Sequence, residues 1–417
     1  MSQNLRKDAR WIIDHSIMAV QPDAAVRKAL TNKTFNGRVI LVAVGKAAWQ
    51  MALSAYECLG HRIDAGIVIT KYGHVMGPIS NFRCYEAGHP VPDENSFRGT
   101  QAALDLVSGL SEQDTVLFLL SGGGSALFEK PLISSEEIQD ITEQFLACGA
   151  DIVEINTVRK RLSAVKGGRF ALACSPAKVF SVVLSDILGD PLDMIASGPA
   201  YPDSTSCEDA KAIAKKYHLR LSEQARECLN QETPKTLSNV ETQITGSVRE
   251  LCFAAAQNCK KLGYKPVILT FDLCCEAREA GSFLASIAKS NQSTTSSIAF
   301  IAGGETIVHL TGNGKGGRNQ ELVLSAAEGI SGLDNVLIFS VGSDGTDGPT
   351  DAAGGVVDGS TMQELNKRNI SIHQVLSENN AFYALSKINC LIFTGPTGTN
   401  VNDVSVVLIK TNCSTVP

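Results

Sequence analysis

The sequence lacks several features that would assign it to a common class of protein. Positive charge is not in excess, since 37 lysines and arginines face 43 aspartates and glutamates for a net charge of −6. This balance argues against nucleic acid as a partner. No apolar run is long enough to span a bilayer, so we expect no membrane contact. We expect no signal peptide, because residues 1–10 are polar and Asp14 and His15 interrupt the following run.

Motifs of several enzyme classes are also missing. None of the seven histidines has the HxxxH spacing of a metal site, and no Gly-x-Ser-x-Gly elbow of an esterase occurs. The twelve cysteines are scattered without a CxxC pair. In a chain of this length, that pattern is typical of small buried residues in a reducing compartment. We therefore predict a cytoplasmic protein without a disulfide framework.

The length of 417 residues favours two domains. In the first half, apolar runs that predict buried strands alternate with helical patterns; the runs are 38–44, 65–70, 114–120 and 178–184. This alternation predicts a Rossmann-like α/β domain, a parallel sheet with helices on both faces. One of the helical patterns covers residues 156–173.

The second half predicts a smaller α/β domain with a mixed sheet. Residues 297–310 resemble a hairpin about Gly303 and Gly304, which would make one pair of strands antiparallel. The polar stretch 231–239 is the best linker candidate. We therefore place the first domain at residues 1–235 and the second at residues 236–417.

Four loops of small residues and carboxylates follow predicted strands. They are 121–125, 185–191 with Asp186 and Asp190, 312–321, and 343–348 with Asp344. Glycines let the backbone approach a ligand closely, and carboxylates are natural ligands of Mg²⁺. Each loop alone is equally well explained as a turn, but together they predict one cleft that handles phosphate.

Three parts of the sequence are candidate anion-binding sites for physical reasons. Lys46 lies where the first predicted strand passes into a helix, a place that favours anions. Arg318, at the start of a later helix, suits a bidentate grip on carboxylate or phosphate. The glycine loop could form a nest of backbone N–H groups. That loop reads Ser121, Gly122, Gly123, Gly124 and Ser125.

Other charged and glycine-rich segments leave alternatives open. The cations between residues 156 and 169 are typical of a solvated helix face. Residues 312–317 match GxGxxG, so an NAD(P)H-dependent hydroxypyruvate reductase is an alternative, although the preceding hairpin and the lack of an acidic partner disfavour it. A non-catalytic sensor of sugar phosphates or nucleotides is a second alternative. It would not explain the surplus of carboxylates, which repel one another unless a metal is bound.

Nine segments, in this order, resemble the MOFRL-type glycerate 2-kinase family over nearly the whole chain. They are VGKAA (44–48), GHPVPDENS (88–96), LSGGGSALF (120–128), NTVRKRLSAVKGGR (156–169), LSDILGDPLDMIASGP (184–199), GGE (303–305), GKGGRNQE (314–321), SDGTDGPTDAAG (343–354) and TGPTGTNVND (394–403).

The resemblance implies a phosphotransferase. It would use ATP as co-substrate, with Mg²⁺ or another divalent cation, to phosphorylate the 2-hydroxyl of D-glycerate. The active site would lie between the two domains, the second of which would contain the MOFRL region. From the residues alone, phosphorylation at C2 or at C3 stays open, as does the oligomeric state, a homodimer included.

The resemblance also implies individual site residues. Lys46, Arg318 and Asp344 would be key active-site residues, and one aspartate of the 185–190 segment, Asp186 or Asp190, would join them. Further family positions fall on three residues that would bind substrate or nucleotide. These are Glu305, Thr346 and Asn400.

Phosphoryl transfer requires mainly positioning and positive charge on the transferring oxygens. We hypothesise that Lys46 and Arg318 supply that charge. Asp344 or Asp190 would hold the metal ion, and the other would accept the proton of the attacking hydroxyl. The backbone of Gly122 to Ser125 would cradle substrate or phosphate.

Overall fold

A computed structural model of the chain describes residues 2–411, which form two compact units. The parallel-sheet unit contains residues 25–185 and 190–245. The mixed-sheet unit contains residues 2–24, 186–189 and 246–411. Within the described residues, no helix combines the length and apolar character needed to cross a membrane.

The strands of both units, numbered along the chain, have the following bounds. They are β1 (Val39–Val44), β2 (Ala65–Lys71), β3 (Phe82–Ala87), β4 (Thr115–Leu120), β5 (Lys178–Leu184), β6 (Val240–Gly246), β7 (Lys265–Leu273), β8 (Ile298–Gly304), β9 (Val336–Gly342), β10 (Gly354–Asp358), β11 (Leu391–Ile392) and β12 (Asp403–Ile409).

The α-helices are numbered in the same way. They are α1 (Ser2–Ala19), α2 (Pro22–Leu30), α3 (Ala48–Leu59), α4 (Glu94–Val107), α5 (Gly124–Leu127), α6 (Ser135–Cys148), α7 (Ile152–Arg161), α8 (Arg169–Ala173), α9 (Cys207–Lys216), α10 (Glu223–Leu229), α11 (Val248–Lys261), α12 (Ala277–Ser290), α13 (Arg318–Gly329), α14 (Thr361–Asn366), α15 (Ile372–Ser377) and α16 (Ala381–Lys387).

The parallel-sheet unit has the strand order β3-β2-β1-β4-β5-β6. The pairs among the first five strands are parallel, and every residue of β1 and of β4 is buried. Strands that are apolar throughout are expected where both faces of a sheet are covered. The predicted Rossmann-like α/β fold is therefore confirmed for this unit. The prediction missed β3, an edge strand that mixes apolar and charged residues and is mostly half-buried.

The mixed-sheet unit has the strand order β11-β10-β9-β12-β8-β7. β7 and β8 are parallel, and the remaining pairs are antiparallel. The prediction of a mixed sheet is confirmed. The predicted hairpin over residues 297–310 is wrong, because β8 pairs with β7 and β12 and the segment after it makes only an isolated bridge from Ile307 to Glu276.

The division of the chain differs from the expected boundary at residue 235. The strand after the polar stretch 231–239, β6, lies beside β5 at the edge of the parallel sheet. The chain therefore passes into the other unit only after residue 245. At the N-terminus, α1 packs on α11 in the mixed-sheet unit, where Arg6 pairs with Asp358 at 2.9 Å. The hydrophobic face of α1, which includes Leu5 and Ile12, is buried there.

The predicted helix over residues 156–173 is two helices, α7 and α8. Helix α7 ends at Arg161, and Ser163 then makes an isolated bridge to Pro131. Directly before α8 the chain passes through Gly167 and Gly168, whose φ angles are 56° and 85°. These left-handed conformations suit glycine and cannot belong to a right-handed helix, so the two helices stay separate.

The cations of α7 are buried, so the prediction of a solvated face is wrong. Lys160 Nζ donates to Asp203 Oδ1 at 3.0 Å, and Arg161 Nη1 donates to Asp203 Oδ2 at 3.3 Å. Burial alone would raise the pKa of Asp203, but hydrogen bonds from Thr205 and Thr233 and the charge of Lys160 outweigh it and lower the pKa to about 2. Asp203 is thus shared by two buried cations, which also contact Asp193 and Glu232 respectively.

We expect Asp203→Asn to lower the free energy of unfolding at pH 7 by about 3–5 kcal/mol, because it leaves Lys160 and Arg161 buried without this carboxylate. The folded pKa of about 2 lies below the ordinary 3.8. The stabilisation is therefore complete above pH 4 and is lost as the pH falls toward 2. Urea unfolding of both proteins from pH 7 to pH 3 measures this difference.

The exposed Glu112 provides the control for this prediction. Glu112→Gln should change the free energy of unfolding by less than about 0.5 kcal/mol. A difference between wild type and Asp203→Asn that does not shrink in acid would contradict the assignment.

Candidate active site

Lys46 and the glycine loop lie side by side in the parallel-sheet unit. β1 and β4 are adjacent parallel strands that end together, so the loops after them leave from the same edge of the sheet. The backbone N–H of Lys46 donates to Gly122 O at 2.9 Å, and that of Ala47 donates to Ser121 Oγ at 3.1 Å. The structure thus brings together two of the predicted anion-binding segments.

Two glycines permit this close approach of the loops. Gly45 has a φ of 118°, and a Cβ there would lie 2.2 Å from Ser121 Oγ. Gly123 has a φ of 86°, and a Cβ there would lie 3.1 Å from His89 and 3.2 Å from Lys46 Cγ. A larger residue at Gly45 would force the two strand ends apart.

Two histidines surround the backbone and stem of Lys46. His74 Nδ1 lies 2.9 Å from Lys46 O, so Nδ1 carries the proton and donates it to that carbonyl. Burial, followed by the charges of Lys46 and Lys71, lowers the pKa of His89 below its ordinary 6.5. His89 is therefore a neutral imidazole at pH 7, next to the Lys46 side chain.

Buried cations hold the far side of the glycine loop. Lys166 Nζ donates to Ser125 O at 2.7 Å and to Phe128 O at 3.1 Å. Arg159 Nη2 donates to the same Ser125 O at 3.3 Å. Burial lowers the pKa of Lys166 to about 8. The sequence did not predict that Lys166 and Arg159 hold this loop, because a basic run on a helix is usually solvated.

The two aspartates of the 185–191 loop fall in different units. Asp186 belongs to the mixed-sheet unit, where its carbonyl accepts a hydrogen bond from Asn402 Nδ2 at 3.1 Å. Asp190 belongs to the parallel-sheet unit and has a φ of 52°, a conformation that costs a residue other than glycine about 1–3 kcal/mol. Its Oδ1 is buried and has no hydrogen-bond partner among the described residues.

In the mixed-sheet unit, Arg318 is the first residue of α13 and is held by two carboxylates. Its Nε and Nη2 donate to Asp403 at 2.5 and 3.0 Å, and its Nη1 donates to Glu305 at 2.9 Å. Burial alone would lower the pKa of Arg318, but Asp403 and Glu305 outweigh it and raise the pKa. The guanidinium is therefore charged and fixed in direction.

The register of the mixed sheet explains why Asp403 and Glu305 lie together around Arg318. Asp403 opens β12 and lies opposite Gly304, the end of β8, and Gly342, the end of β9. The residues that follow those two strand ends, Glu305 and Ser343, are therefore neighbours of Asp403 at one edge of the sheet. The structure thus brings Arg318, Glu305 and the Ser343 loop together.

Sequence reasoning did not single out Asp403 and Asn402 as residues that hold others in place. Asn402 is buried, and its Nδ2 donates to Glu305 Oε2 at 2.9 Å. Burial raises the pKa of Asp403, and the hydrogen bonds and charge of Arg318 oppose the rise. Nothing in the spacing of the 394–403 segment separates these two residues from Asn400, which is exposed.

The two aspartates of the 343–348 loop have different tasks. Asp347 accepts hydrogen bonds from the backbone N–H groups of Asn319 at 3.1 Å and Gln320 at 2.9 Å, and so caps α13 behind Arg318. Burial raises the pKa of Asp347 to about 7, against the effect of those N–H groups. Asp344 is half-buried, and its Oδ1 accepts from the N–H of the exposed Thr346 at 2.9 Å.

The GxGxxG match at residues 312–317 has a structural explanation. A Cβ at Gly312 would lie 2.4 Å from Glu378 Cα, and one at Gly317 would lie 2.3 Å from the Asp347 carboxyl carbon. The segment before the match is irregular and is not a strand. These glycines permit close packing, and the strand–loop–helix context of a dinucleotide site is missing.

Among residues 2–411, no group of three or more histidine, cysteine, aspartate or glutamate side chains is arranged to hold a metal ion. The predicted metal ligands Asp344 and Asp190 belong to different units. Asp344 is a half-buried carboxylate, and Asp190 carries the unpartnered oxygen described above.

Two family models match parts of the chain. Residues 8–230 match a family described as a domain of unknown function, DUF4147, and residues 298–403 match the MOFRL family. A D-glycerate 2-kinase from Thermotoga maritima is 55% identical to the chain, covering 98% of this chain and 99% of the relative. A glycerate 2-kinase from Pyrococcus horikoshii is 39% identical, covering 98% of each.

The chain is also similar to a solved structure and to a relative that has a different name. The crystal structure of a glycerate kinase from Thermotoga maritima matches with a TM-score of 0.93 at 54% identity, over 98% of this chain and 100% of that one. A relative from Agrobacterium vitis, named putative hydroxypyruvate reductase, is 37% identical over 97% of this chain. The more similar of these proteins carry the kinase name.

Proposed function

The chain belongs to the MOFRL-type glycerate 2-kinase family, and from this premise we propose that it transfers the γ-phosphoryl group of ATP to the 2-hydroxyl of D-glycerate. The products are 2-phosphoglycerate and ADP. The observation that carries this conclusion is the 55% identity to a D-glycerate 2-kinase over 98% of the chain. The hydroxypyruvate reductase alternative rests on a less similar relative.

We propose that Lys46 supplies positive charge to the transferring phosphoryl group. Its side chain is exposed beside the glycine loop, and its backbone N–H and carbonyl are already engaged by Gly122 and His74. The ammonium is thus carried on a fixed backbone. Backbone N–H groups of Gly122 to Ser125 would cradle the substrate or a phosphate, with Ser125 held from behind by Lys166.

Arg318 would be the second cation of the site, after Lys46. Its two carboxylate partners suggest how it would bind an anion. Asp403 is buried and holds Nε and Nη2 in place, whereas the side chain of Glu305 is 44% exposed. We propose that a phosphate oxygen or the glycerate carboxylate takes the place of Glu305 on Nη1. Asp403 would then keep the guanidinium aligned during the exchange.

We propose Asp344 and Asp190 as the carboxylates for Mg²⁺ or another divalent cation. Such an ion, when bound, neutralises charge on the ATP phosphates, and proteins usually hold it with one or two carboxylates. The orphaned Oδ1 of Asp190 fits this role and favours Asp190 over Asp186. Whichever of Asp344 and Asp190 is not a ligand would accept the proton of the attacking hydroxyl. We further propose that turnover requires residues of both units.

We also propose a cytoplasmic location. The support is the chemistry of the cysteines, since those within residues 2–411 are free thiols, as expected in a reducing compartment. Fractionation of cells that express the chain tests this proposal.

A divided assay on the purified protein tests the function. We expect a ³¹P NMR signal of 2-phosphoglycerate from Mg-ATP and D-glycerate, and no loss of absorbance from NADH and hydroxypyruvate. A parallel purification from cells without the gene controls for contaminating kinases. Oxidation of NADH without a phosphoester would overturn the kinase assignment, and a signal of 3-phosphoglycerate would overturn the assignment to the 2-hydroxyl.

A further inference from the structure

We propose that an apolar cleft in the mixed-sheet unit binds the adenosine part of the nucleotide, with its phosphates directed toward Arg318. This inference rests on the proposed kinase function and adds a binding site to it. The cleft has a volume of about 830 Å³, and its wall includes Leu188, Ile307, Leu310 and Pro349. We refer to it below as the nucleotide cleft.

The apolar wall of the cleft is exposed to solvent. The relative exposure of Leu310 is 80%, and that of Ile307 is 49%. Exposed apolar side chains are common singly, but two on one short segment that lines a concave surface indicate a binding site. A flat heterocycle with apolar faces, such as adenine, would remove both side chains from water.

Hydrogen bonds to its backbone hold this wall in place, so the wall does not need to form when a ligand binds. Asn379 is buried, and its Oδ1 accepts from the N–H groups of Thr311 at 2.7 Å and Gly312 at 2.9 Å. Its Nδ2 donates to His309 O at 3.2 Å. Ile307 is held separately, because its carbonyl accepts from Ala277 N at 2.8 Å. A preorganised wall loses little conformational entropy when a ligand binds.

Charged side chains lie at one side of the same cleft. Arg318 and Glu305 line the same cleft, so the apolar wall is continuous with the arginine that we assign to phosphate or carboxylate. The other carboxylate of the lining, Glu321, is paired with Arg278 at 3.0 Å. The cleft therefore has an apolar part for a base and, at its edge, the guanidinium of Arg318, which a phosphate would reach by displacing Glu305 as proposed above. Its volume lies within the usual range of about 300–1,000 Å³ for small-molecule sites.

The decisive experiment measures ADP binding by calorimetry, without glycerate, in wild type, Leu310→Asp and Ile307→Asp. Both side chains are largely exposed, so we expect the variants to keep the wild-type melting temperature. Each should raise the Kd of ADP by about ten- to a hundredfold, the scale of losing an apolar pocket contact. The KM for ATP should rise in parallel, while the KM for glycerate should stay unchanged.

Leu146→Asp is the matched control. Leu146 has a relative exposure of 71% in α6 of the parallel-sheet unit, so its replacement should leave the Kd of ADP unchanged. A smaller cleft of about 540 Å³ beside Tyr72 and Arg98 is the competing site. Loss of ADP binding in Tyr72→Ala, with normal binding in Leu310→Asp, would overturn the proposal.

The binding measurement separates this inference from the proposed function. A wild-type protein that binds ADP through Leu310 but does not phosphorylate glycerate would support the nucleotide cleft and reject the kinase. A protein that phosphorylates glycerate, and whose Leu310→Asp and Ile307→Asp variants bind ADP normally, would support the kinase and reject the cleft. Failure of the wild type to bind ADP would also reject the cleft.

Discussion

Arg318→Ala is expected to lower kcat at least about a hundredfold, the usual effect of losing one transition-state charge contact. The substitution removes the guanidinium that Asp403 and Glu305 hold in place. It also leaves these two carboxylates without their cation, and their repulsion would oppose the approach of phosphate. We therefore expect the KM values to rise as well as kcat to fall.

Arg318→Lys should restore little of this activity. Lysine keeps the charge but cannot reproduce the two parallel hydrogen bonds to Asp403 together with a third to Glu305. The contrast between alanine and lysine therefore separates the effect of charge from the effect of geometry. If lysine restored near-normal turnover, charge alone would explain the role of Arg318 and the alignment by Asp403 would be unnecessary.

Steady-state kinetics with Mg-ATP and D-glycerate, combined with melting curves, test the Arg318 variants. Arg368→Ala is the matched control, because Arg368 is an exposed arginine in the same unit that pairs locally with Glu364. That variant should keep normal kcat and KM. Near-normal turnover of a correctly folded Arg318→Ala would remove this residue from the proposed site.

The parts of the site that the sequence predicted are those that depend on strand order. Uniformly apolar runs predict parallel strands, and neighbouring parallel strands end at one edge of a sheet. This reasoning is enough to bring Lys46 next to the glycine loop. It also places Arg318 at the start of a helix, because glycines precede an uninterrupted helical pattern there.

The parts that were missed depend on contacts between distant residues. Arg318 and Asp403 are 85 positions apart, and no local pattern pairs them. The buried cations of α7 were read as solvated because their partner, Asp203, lies in a loop about 40 residues later. The segment after Gly304 was wrongly predicted as part of a hairpin for the same reason. Asn379, whose side chain holds the backbone of His309 and Thr311, lies about 70 positions away. Side-chain pairing across a fold is not encoded in hydrophobic periodicity.

Lys46→Ala is the second variant for which we expect a large effect, again at least about a hundredfold in kcat. The fold should tolerate this change, because the side chain is exposed and the observed hydrogen bonds of Lys46 involve its backbone. The affinity for ADP, measured by calorimetry, should be nearly unchanged if ADP binds in the nucleotide cleft beside Arg318. A loss of kcat without a loss of ADP affinity would assign Lys46 to the transition state rather than to nucleotide binding.

The matched control for Lys46 is Lys215, an exposed lysine of α9 in the same unit. Lys215→Ala should have normal kinetics, so that any general effect of lost surface charge is excluded. The double variant Lys46→Ala, Arg318→Ala then tests whether the two cations act together. Groups that stabilise one transition state as a unit give a double variant with less than the product of the single losses. Near-normal turnover in Lys46→Ala would instead restrict the catalytic charge to the mixed-sheet unit and leave Arg318 as its source.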